Sequence, residues 1–558
     1  MARSRSVIRA LTAFLALGLV AMACGDSKSG SPATTQATSA ASTTTVAPVT
    51  TATPQKGGSI TISTGLAAQI GLDPAVAVAT GCCGGSEMAA IYDTLVRYNP
   101  ATAKFEMRTA QSLDPNSDFT QWTLKLKPNI KFTDGTDYNA DAVKFNVERH
   151  QKTATSQEYA VLSQFLDTTT VVDPLTVVFK LKVAWANFPI SLAAGAGMIV
   201  SPTAFQKAGT TFNTVPSDAG AGPFKVASFK PNESLVLVRN PNYYGGDVYL
   251  DQITSVYIPG AQAQLDALTT GTIQAVLLGD AEVAAKASAQ KFQTINFPYP
   301  AGNLILMNPG QLTCAGGNPA KYCAGKPDGT KVTTDSPTKD IRVRQAIAEA
   351  VDIDQINTRV YNNTAKVYRS LVPAGFRWDP GVPGTKYDPV DAKKLVDAAK
   401  ADGWDGKLRI SYGAVTPQLT NYGQALQAML GAVGITATIE TGKTLAQVQV
   451  EKDFDIYPAF AFGTSEDRLF EGLYGSLRNN RYGYSNPDMD AALDALRVAS
   501  TDAAKTAALK TVATIWNRDL PAMVVGDGVR VLAYSSKLQG VQPTAFQAVE
   551  YAKAWLQK

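Results

Sequence analysis

The 558-residue sequence has very little histidine: His150 is the single one it contains. A Ser-His-Asp triad or a multi-histidine metal site would have to be built around this residue or without it. His150 lies in NADAVKFNVERHQ, a helical pattern with a polar face, so we expect it to be a solvated surface residue. The shortage of histidine and the lack of a nucleophile-elbow motif disfavour an exported hydrolase. No catalytic residue, metal site or cofactor is predicted.

An excess of charge of one sign is also lacking. The formal net charge is +4, and it falls to +1 when the three arginines of residues 1–23 are removed, because that segment contains no acid. Neither nucleic-acid binding nor electrostatic binding to a membrane surface is therefore indicated. No second apolar run reaches the roughly 20 residues that a membrane span requires, which excludes a channel or permease.

The first 23 residues have the pattern of a secretory signal peptide. Three arginines precede an apolar stretch, residues 11–20, that is too short to span a bilayer. Ala21, Met22, Ala23 and Cys24 resemble the lipobox of bacterial lipoproteins, with Ala21 where leucine is usual. The resemblance implies that Cys24 is lipidated and becomes the mature N-terminus. The alternative is ordinary cleavage after residue 23, which leaves Cys24 as a free thiol.

Residues 25–56 are rich in Thr, Ser, Ala and Pro and have few apolar side chains. Such a segment cannot bury enough surface to repay the entropy of ordering, so we predict a flexible tether. Treated as a random coil, its ends lie about 30 Å apart on average. Together with Cys24, it predicts an exported protein that a lipid anchors to the outer face of the cytoplasmic membrane.

Cysteine is scarce, with five residues in the whole chain. If Cys24 carries lipid, four remain, an even number that suits an oxidising compartment. Cys314 and Cys323 flank a loop with Gly and Pro, CAGGNPAKYC, and we favour a disulfide between them. Three states stay open for the adjacent Cys82 and Cys83: a rare vicinal disulfide, two free thiols, or a disulfide to another partner. None of the four shows the C-x-x-C spacing of a zinc site.

About 500 residues follow the tether, too many for one hydrophobic core, so two or three domains are expected. QWTLKLK alternates so that Trp122, Leu124 and Leu126 share one face of a strand. FKVASF and SLVLVRN, joined by the turn KPNES, predict a hairpin. The apolar spacing in EMAAIYDTLVRY predicts one helix through residue 96.

The second half of the chain predicts helices packed over parallel strands. Asp388 and Pro389 are suited to the first turn of a helix that stops at Gly403. LRISYG, NYGQALQAMLGAVG and ITATIE follow in the order strand, helix, strand. This order predicts a βαβ unit and hence a parallel pair of strands.

Five blocks, in order along nearly all of the mature chain, resemble the family 5 extracellular solute-binding proteins of ABC importers, the oligopeptide, dipeptide and nickel class. The blocks are TQWTLKLKPNIKFTDGTDYNADAVKFNVER, GAGPFKVASFKPNESLVLVRNPNYYGG, DIRVRQAIAEAVDIDQI, YDPVDAKKLVDAAKADGW and GYSNPDMDAALDAL. Each block also has a local structural reason: Asp134 and Gly135 form a turn, Asn139 can cap a helix, and Tyr243 and Tyr244 are expected to pack.

The resemblance implies an α/β fold, a two-lobed periplasmic-binding-protein-like clamshell with a small inserted domain. Lobe I is expected at 57–97, 216–297 and 513–558, the inserted domain at 98–215 and lobe II at 298–512. The lobes would close on a hinge around a small solute, and the closed form would be recognised by a membrane permease. The protein is expected to be a monomer, not an enzyme. The alternatives are a signalling or adhesion protein with this fold and, less favoured, an exported hydrolase.

Two stretches resemble segments from which family members line their pocket. The first is ATGCCGGSE, which implies ligand contacts at Thr80, Gly81, Cys82 and Cys83. The second is DFDIYPAFAFGTSED, which resembles a family segment with Trp followed three residues later by Asp. The contacts that it implies are at Phe460, Phe462, Gly463, Thr464, Ser465 and Asp467.

The second stretch departs from the family pattern. Phe462 stands at the Trp position and Ser465 at the Asp position, unless the alignment shifts by one residue. In peptide-binding members that Asp receives the peptide ammonium, and an unpaired ammonium in a closed cleft costs several kcal/mol. Either Glu466 or Asp467 replaces it, or the ligand is not an ordinary free-amino peptide. The aromatic residues, with Trp185 and Tyr484 as further candidates, suit an apolar or ring-bearing ligand.

Overall fold

In the computed structural model, sheets of seven, five and four strands carry the fold. The structure describes residues 53–63, 71–76, 83–297, 301–314, 321–413, 416–444, 447–448, 451–460, 469, 472–475, 483–544 and 547–558. Within them, no helix has both the length and the apolar character needed to cross a membrane.

The strands in chain order are β1 (Ser59–Ser63), β2 (Val96–Asn99), β3 (Lys104–Met107), β4 (Ala110–Pro115), β5 (Gln121–Leu126), β6 (Leu166–Asp173), β7 (Thr176–Leu181), β8 (Phe224–Lys230), β9 (Ser234–Arg239), β10 (Gln252–Val256), β11 (Ala275–Leu278), β12 (Gln293–Asn296), β13 (Asn303–Met307), β14 (Gln311–Thr313), β15 (Lys331–Thr333), β16 (Lys407–Ser411), β17 (Thr436–Glu440), β18 (Ile456–Phe460), β19 (Ala522–Gly526), β20 (Val531–Tyr534), β21 (Leu538–Gln539), β22 (Gln542–Pro543), β23 (Val549–Glu550) and β24 (Trp555–Leu556).

The α-helices are α1 (Gly85–Tyr92), α2 (Ala140–Lys152), α3 (Tyr159–Phe165), α4 (Pro189–Leu192), α5 (Pro202–Ala208), α6 (Ala261–Thr269), α7 (Ala281–Ala289), α8 (Ile341–Ala350), α9 (Ile353–Tyr361), α10 (Pro389–Ala401), α11 (Pro417–Ala432), α12 (Pro487–Val498) and α13 (Asp502–Asp519).

The seven-stranded sheet has the order β12-β20-β11-β1-β10-β9-β8, and the five-stranded sheet the order β17-β16-β18-β13-β19. In the first sheet β1 is parallel to β10 and β11, and the other strands join antiparallel. In the second, β16 is parallel to β17 and β18, while β13 is antiparallel to β18 and β19. The parallel β16 and β17 flank α11, so the predicted βαβ unit is confirmed.

The four-stranded sheet, β4-β5-β7-β6, is antiparallel throughout. In β5 every second side chain is buried, Trp122, Leu124 and Leu126, as the alternation predicts. The predicted hairpin is also present as β8 and β9.

Local signals in the sequence determine several helix starts and turns. The Ala142 N–H donates to Asn139 Oδ1 at 3.0 Å at the start of α2, and Asp388 caps α10 in the same way. Gly135 has a φ of 87°, which the tight turn before α2 requires. A Cβ at Gly220 would lie 2.0 Å from the Ile91 carbonyl oxygen, so only glycine fits beside α1.

Helix α1 ends earlier than the apolar spacing predicts. Asp93 adopts a φ of 56°, which stops the helix after Tyr92, and Val96 instead begins β2. The Asp93 carboxylate accepts hydrogen bonds from Tyr243, Tyr244 and Arg108, so contacts from distant segments hold the chain in this turn. The two tyrosines pack, as predicted, with ring centroids 4.9 Å apart.

The prediction that His150 is a solvated surface residue is wrong. The side chain is fully buried, with Nδ1 2.7 Å from Ser156 Oγ and 3.2 Å from Glu158 Oε2. His150 follows Val147 by three residues and Val143 by seven, and this spacing places it on the apolar face of α2. The polar residues between them obscure that signal.

The last change of sheet follows β19. Strand β19 pairs with β13 in the five-stranded sheet, and β20 pairs with β11 in the seven-stranded sheet. The chain therefore passes from one sheet to the other between Gly526 and Val531. The first passage lies between Asn296 of β12 and Asn303 of β13.

Candidate functional site

The ends of the parallel strands in the five-stranded sheet define one edge of this sheet. Strands β16, β17 and β18 end there, at Ser411, Glu440 and Phe460. The antiparallel β13 begins at the same edge, where Asn303 pairs with both Phe460 and Gly526. In open α/β sheets, ligands bind outside the carboxyl ends of the strands, so this edge is the expected position of a site.

The seven-stranded sheet presents its corresponding edge to the same region. Val531, the first residue of β20, pairs with Leu278 at the end of β11 and with Asn296 at the end of β12. Both chain passages therefore leave the carboxyl edge of one sheet and reach the carboxyl edge of the other. The chain thus passes between these two edges twice, from Asn296 to Asn303 and from Gly526 to Val531.

A recess opens at this position. The space within it is about 220 Å³ when the open mouth is counted, and the enclosed part has room for about one water molecule. It is lined by Asn303, Tyr361, Gln418, Leu419, Tyr422, Pro458 and Ala459. These residues come from the start of β13, the end of α9, the first turns of α11 and the end of β18, so the recess exists only in the folded chain.

Hydrogen bonds order part of the recess lining. Asn303 Nδ2 donates to Tyr361 Oη at 2.7 Å, and Gln418 Nε2 donates to Asp280 Oδ2 at 3.4 Å. Asp280 also caps α7 by accepting from the Val283 N–H at 2.9 Å. Because α7 follows β11, the Asp280–Gln418 bond joins elements of the two large sheets beside the recess.

The two tyrosines of the recess are neutral hydrogen-bond donors. Burial raises the pKa of Tyr361 to about 12 and raises the pKa of Tyr422 well above its ordinary value. The Tyr422 hydroxyl is buried and has no hydrogen-bond partner among the described residues. A buried hydroxyl without a partner is costly, and a bound ligand would supply one.

A clasp of Tyr368, Asp527 and Ala301 joins the two connections between the sheets. Tyr368 Oη donates to the Asp527 carboxylate and accepts from the Ala301 N–H at 3.3 Å. Ala301 lies in the first connection and Asp527 in the second. The pKa of Tyr368 is raised mainly by burial and, to a smaller extent, by its hydrogen bond to Asp527, so the hydroxyl stays protonated and acts as a donor.

The sequence-predicted ligand residues fall mostly outside the described residues. These are Thr80, Gly81, Cys82, Phe462, Gly463, Thr464, Ser465 and Asp467, and the same holds for Glu466 and the lipidation site Cys24. Cys83 is half-buried just before α1. Phe460 ends β18 at the edge where the recess lies. The structure describes its backbone and not its side chain, so the predicted ligand contact stays a prediction.

Trp185 and Tyr484, predicted from the sequence as ligand contacts, are buried residues of the core. The Trp185 ring is 1% exposed and packs at 5.5 Å from Phe188 and 5.9 Å from Phe165, measured between centroids. Tyr484 is 4% exposed, and its hydroxyl bonds to Asp519 at the end of α13. In this packing neither side chain has surface left for a solute.

The disulfide between Cys314 and Cys323 is present, as predicted, with a Cα–Cα distance of 5.5 Å. It closes a loop next to the β14–β15 hairpin. No three His, Cys, Asp or Glu side chains within the described ranges are grouped so that they could hold a metal ion.

Sequence reasoning did not find the residues of the recess. Asn303, Tyr361 and Gln418 lie on segments far apart in the chain and match no motif. One usable signal was Asp280, a helix-capping residue two positions after the apolar strand AVLL, because that position lies at a carboxyl edge.

The amino-acid sequence matches, over residues 104–483, the family described as bacterial extracellular solute-binding proteins, family 5. The chain belongs to this family. It is therefore an extracellular solute-binding protein, the substrate-binding component of an ABC importer, and the prediction that it is not an enzyme is confirmed.

The relatives and neighbours of this family 5 protein agree with that membership. The glutathione-binding protein GsiB of Pectobacterium atrosepticum is 26% identical over 450 residues, which cover 77% of this chain and 82% of that protein. The dipeptide-binding protein of Pseudoalteromonas, solved with Met-Leu, superposes with a TM-score of 0.73 at 19% identity and covers 90% of this chain and 100% of its own.

AgaA of A. tumefaciens, solved with agropinic acid, superposes with a TM-score of 0.72 at 21% identity, covering 90% of this chain and 99% of its own. At these identities the neighbours show the fold alone. They confirm the predicted two-lobed architecture.

Proposed function

We propose that the protein captures a small peptide-like solute between its two lobes and delivers it to a membrane permease from a lipid anchor at Cys24. The observation that carries the proposal is the recess at the carboxyl edge of the five-stranded sheet, where Gln418 also bonds to Asp280, beside the seven-stranded sheet. Its lining combines apolar surface from Leu419, Pro458 and Ala459 with amide and hydroxyl groups. Ligand pockets have this composition: a mainly apolar wall and a few polar groups that orient the ligand.

Lobe I is proposed to be built on the seven-stranded sheet and lobe II on the five-stranded sheet, with the inserted domain at 98–215. Hydrogen bonds between the two proposed lobes, beside the recess, support closure of the lobes on a hinge. Asn362 Nδ2 at the end of α9 donates to Glu282 Oε2 of α7 at 2.7 Å, next to the Asp280–Gln418 bond. A solute that touches both lobes would favour the conformation in which these bonds form.

The nature of the solute is supported by relatives whose names refer to glutathione or a dipeptide. Ser465 and the other residues of the 461–467 segment directly follow β18, the strand that lines the recess. We therefore keep them as proposed contacts, with Glu466 or Asp467 as the group that would pair with a ligand ammonium.

The first test is mass spectrometry of small molecules released by denaturing the full-length protein after purification in mild detergent. A variant with Phe462→Ala and Ser465→Ala serves as the matched control. Peptides released from the parent protein and absent from the control support the proposal. A non-peptide solute corrects its class, and a protein that releases nothing and shows no thermal shift with a peptide library contradicts solute capture.

The lipid anchor has a separate test. Radiolabelled palmitate is expected to enter the parent protein and not the Cys24→Ala variant, and the variant is expected to leave the membrane fraction. Absence of label from the parent, or a Cys24→Ala protein that stays membrane-bound, contradicts the anchor without affecting the proposed ligand binding.

A further inference from the structure

We propose that the recess binds a neutral hydrogen-bonding group of the solute, an amide or hydroxyl, and that Tyr422 donates a hydrogen bond to it. This inference rests on the proposed function, because it assigns a chemical specificity to the same cleft. It concerns the part of the cleft formed by α9, α11, β13 and β18.

The hydroxyl of Tyr422 carries the first part of the argument. The residue is 3% exposed and lines the recess, yet its Oη has no hydrogen-bond partner among the described residues. Most buried polar side-chain atoms in folded proteins have at least one partner. Because its pKa is raised well above the ordinary value, the group is a phenol that needs an acceptor rather than a phenolate.

Tyr361 adds a second donor, whose proton has no acceptor among the described residues. Its Oη accepts from Asn303 Nδ2, so its own proton is directed elsewhere. Tyr361 is close enough to add, after burial, to the raised pKa of Tyr422. Gln418 uses its Nε2 on Asp280, which leaves its carbonyl oxygen as an acceptor. The recess therefore offers O–H donors and an amide acceptor, the complement of a group that carries both C=O and N–H, or of a hydroxyl.

The charge of the lining is the second part. Each of its seven described residues is uncharged. The carboxylate beside it, Asp280, already accepts from the Val283 N–H and from Gln418. A free carboxylate or ammonium placed in the recess would lose hydration without gaining an opposite charge in the lining, which is strongly unfavourable. A neutral group pays no such penalty.

The test compares two probes, acetyl-Met-Leu amide and acetyl-Met-Leu with a free carboxylate, by isothermal titration of the full-length protein. We expect the amide to bind at least tenfold more tightly. We expect Tyr422→Phe to weaken amide binding by about tenfold, the effect of one hydrogen bond. The variant should unfold at the same or a higher temperature, because the lost hydroxyl has no partner among the described residues.

Tyr551→Phe is the matched control. Tyr551 is 1% exposed, its hydroxyl also has no partner within the described ranges, and it packs in the core of the seven-stranded sheet. This variant should leave the affinity for both probes unchanged.

Equal or tighter binding of the free acid overturns the inference, as does an affinity for the amide that Tyr422→Phe does not lower. Binding of neither probe overturns it as well. Solute released in the mass-spectrometry experiment would then still support the proposed function, so the two failures are distinguishable.

Discussion

A buried carboxyl on the C-terminal segment, Glu550, should make the stability of this protein depend on pH near neutrality. Glu550 Oε2 lies 3.5 Å from Arg108 Nη2 and 3.7 Å from Arg97 Nε, and it has no hydrogen-bond partner in the described part of the chain. Burial raises its pKa from 4.5 to about 7; Arg108 and Arg97 oppose this shift, and the Asp93 charge adds to it.

The sign of the effect follows from proton binding. Between pH 4.5 and 7 the folded protein keeps a proton on Glu550 that the unfolded chain releases. The stability that Glu550 contributes is therefore fully present below its pKa in the unfolded chain, and it is lost as the pH rises through its pKa in the folded protein. One pKa unit corresponds to about 1.4 kcal/mol, so the free energy of unfolding should fall by up to roughly 3 kcal/mol across this window.

The assay is urea unfolding of the ligand-free protein at pH 5 and pH 8, for the parent and for Glu550→Gln. Glutamine cannot titrate, so the variant should lose roughly 3 kcal/mol less than the parent between the two pH values. Other groups that titrate in this range are common to both proteins and cancel in the comparison.

Glu106→Gln is the control, because Glu106 binds the same Arg97 at 2.6 Å on its exposed side. Its pKa is lowered, first by a hydrogen bond from Asn99, so its own contribution is lost only in more acidic solution. The Glu106 charge is the smallest of the named causes that act on the pKa of Glu550, so the variant should keep most of the parent's slope. An identical difference between pH 5 and pH 8 in the parent and in Glu550→Gln would refute the reasoning.

Three further predictions concern local contacts. Tyr368→Phe removes a hydrogen bond to a charged partner in the clasp, so the free energy of unfolding in urea should fall by about 2 kcal/mol; an unchanged value would show that the clasp contributes nothing. Asn139→Ala should cost about 1 kcal/mol in the same assay while Asn139→Asp keeps the cap, and equal losses for both would contradict capping. Replacing Cys314 and Cys323 together by serine should lower the free energy of unfolding by roughly 3 kcal/mol. Reductant should lower the stability of the parent by the same amount and should not change that of the variant.

Much of the fold could be predicted because its signals are local. Alternation in β5 identifies the buried face of Trp122 and Leu124, and Asn139 marks the start of α2. The failures occur where distant segments compete with local preference. Apolar spacing favours a helix through Val96, but Asp93 is held in a helix-stopping turn by groups more than a hundred residues away.

The candidate site was less predictable for the same reason. The resemblance directed attention to residues 79–87 and 453–467, and Phe460 does end a strand at the relevant edge. Trp185, chosen for its aromatic ring, is instead part of the core, since a single ring carries no signal that separates a pocket from a core. Tyr422 lies on the buried face of α11, and only the packed structure shows that its hydroxyl has no partner among the described residues.

The sequence by itself determined the elements and the family, because periodicity, caps, turns and motif order depend on neighbours within a few residues. Tertiary structure alone decided where these elements meet: the change of sheet after Gly526, the burial of His150, the pKa of Glu550 and the recess at Tyr422. Each of these depends on desolvation and on partners brought together across long stretches of chain. Such long-range effects, unlike a cap or a strand face, are absent from any short window of residues.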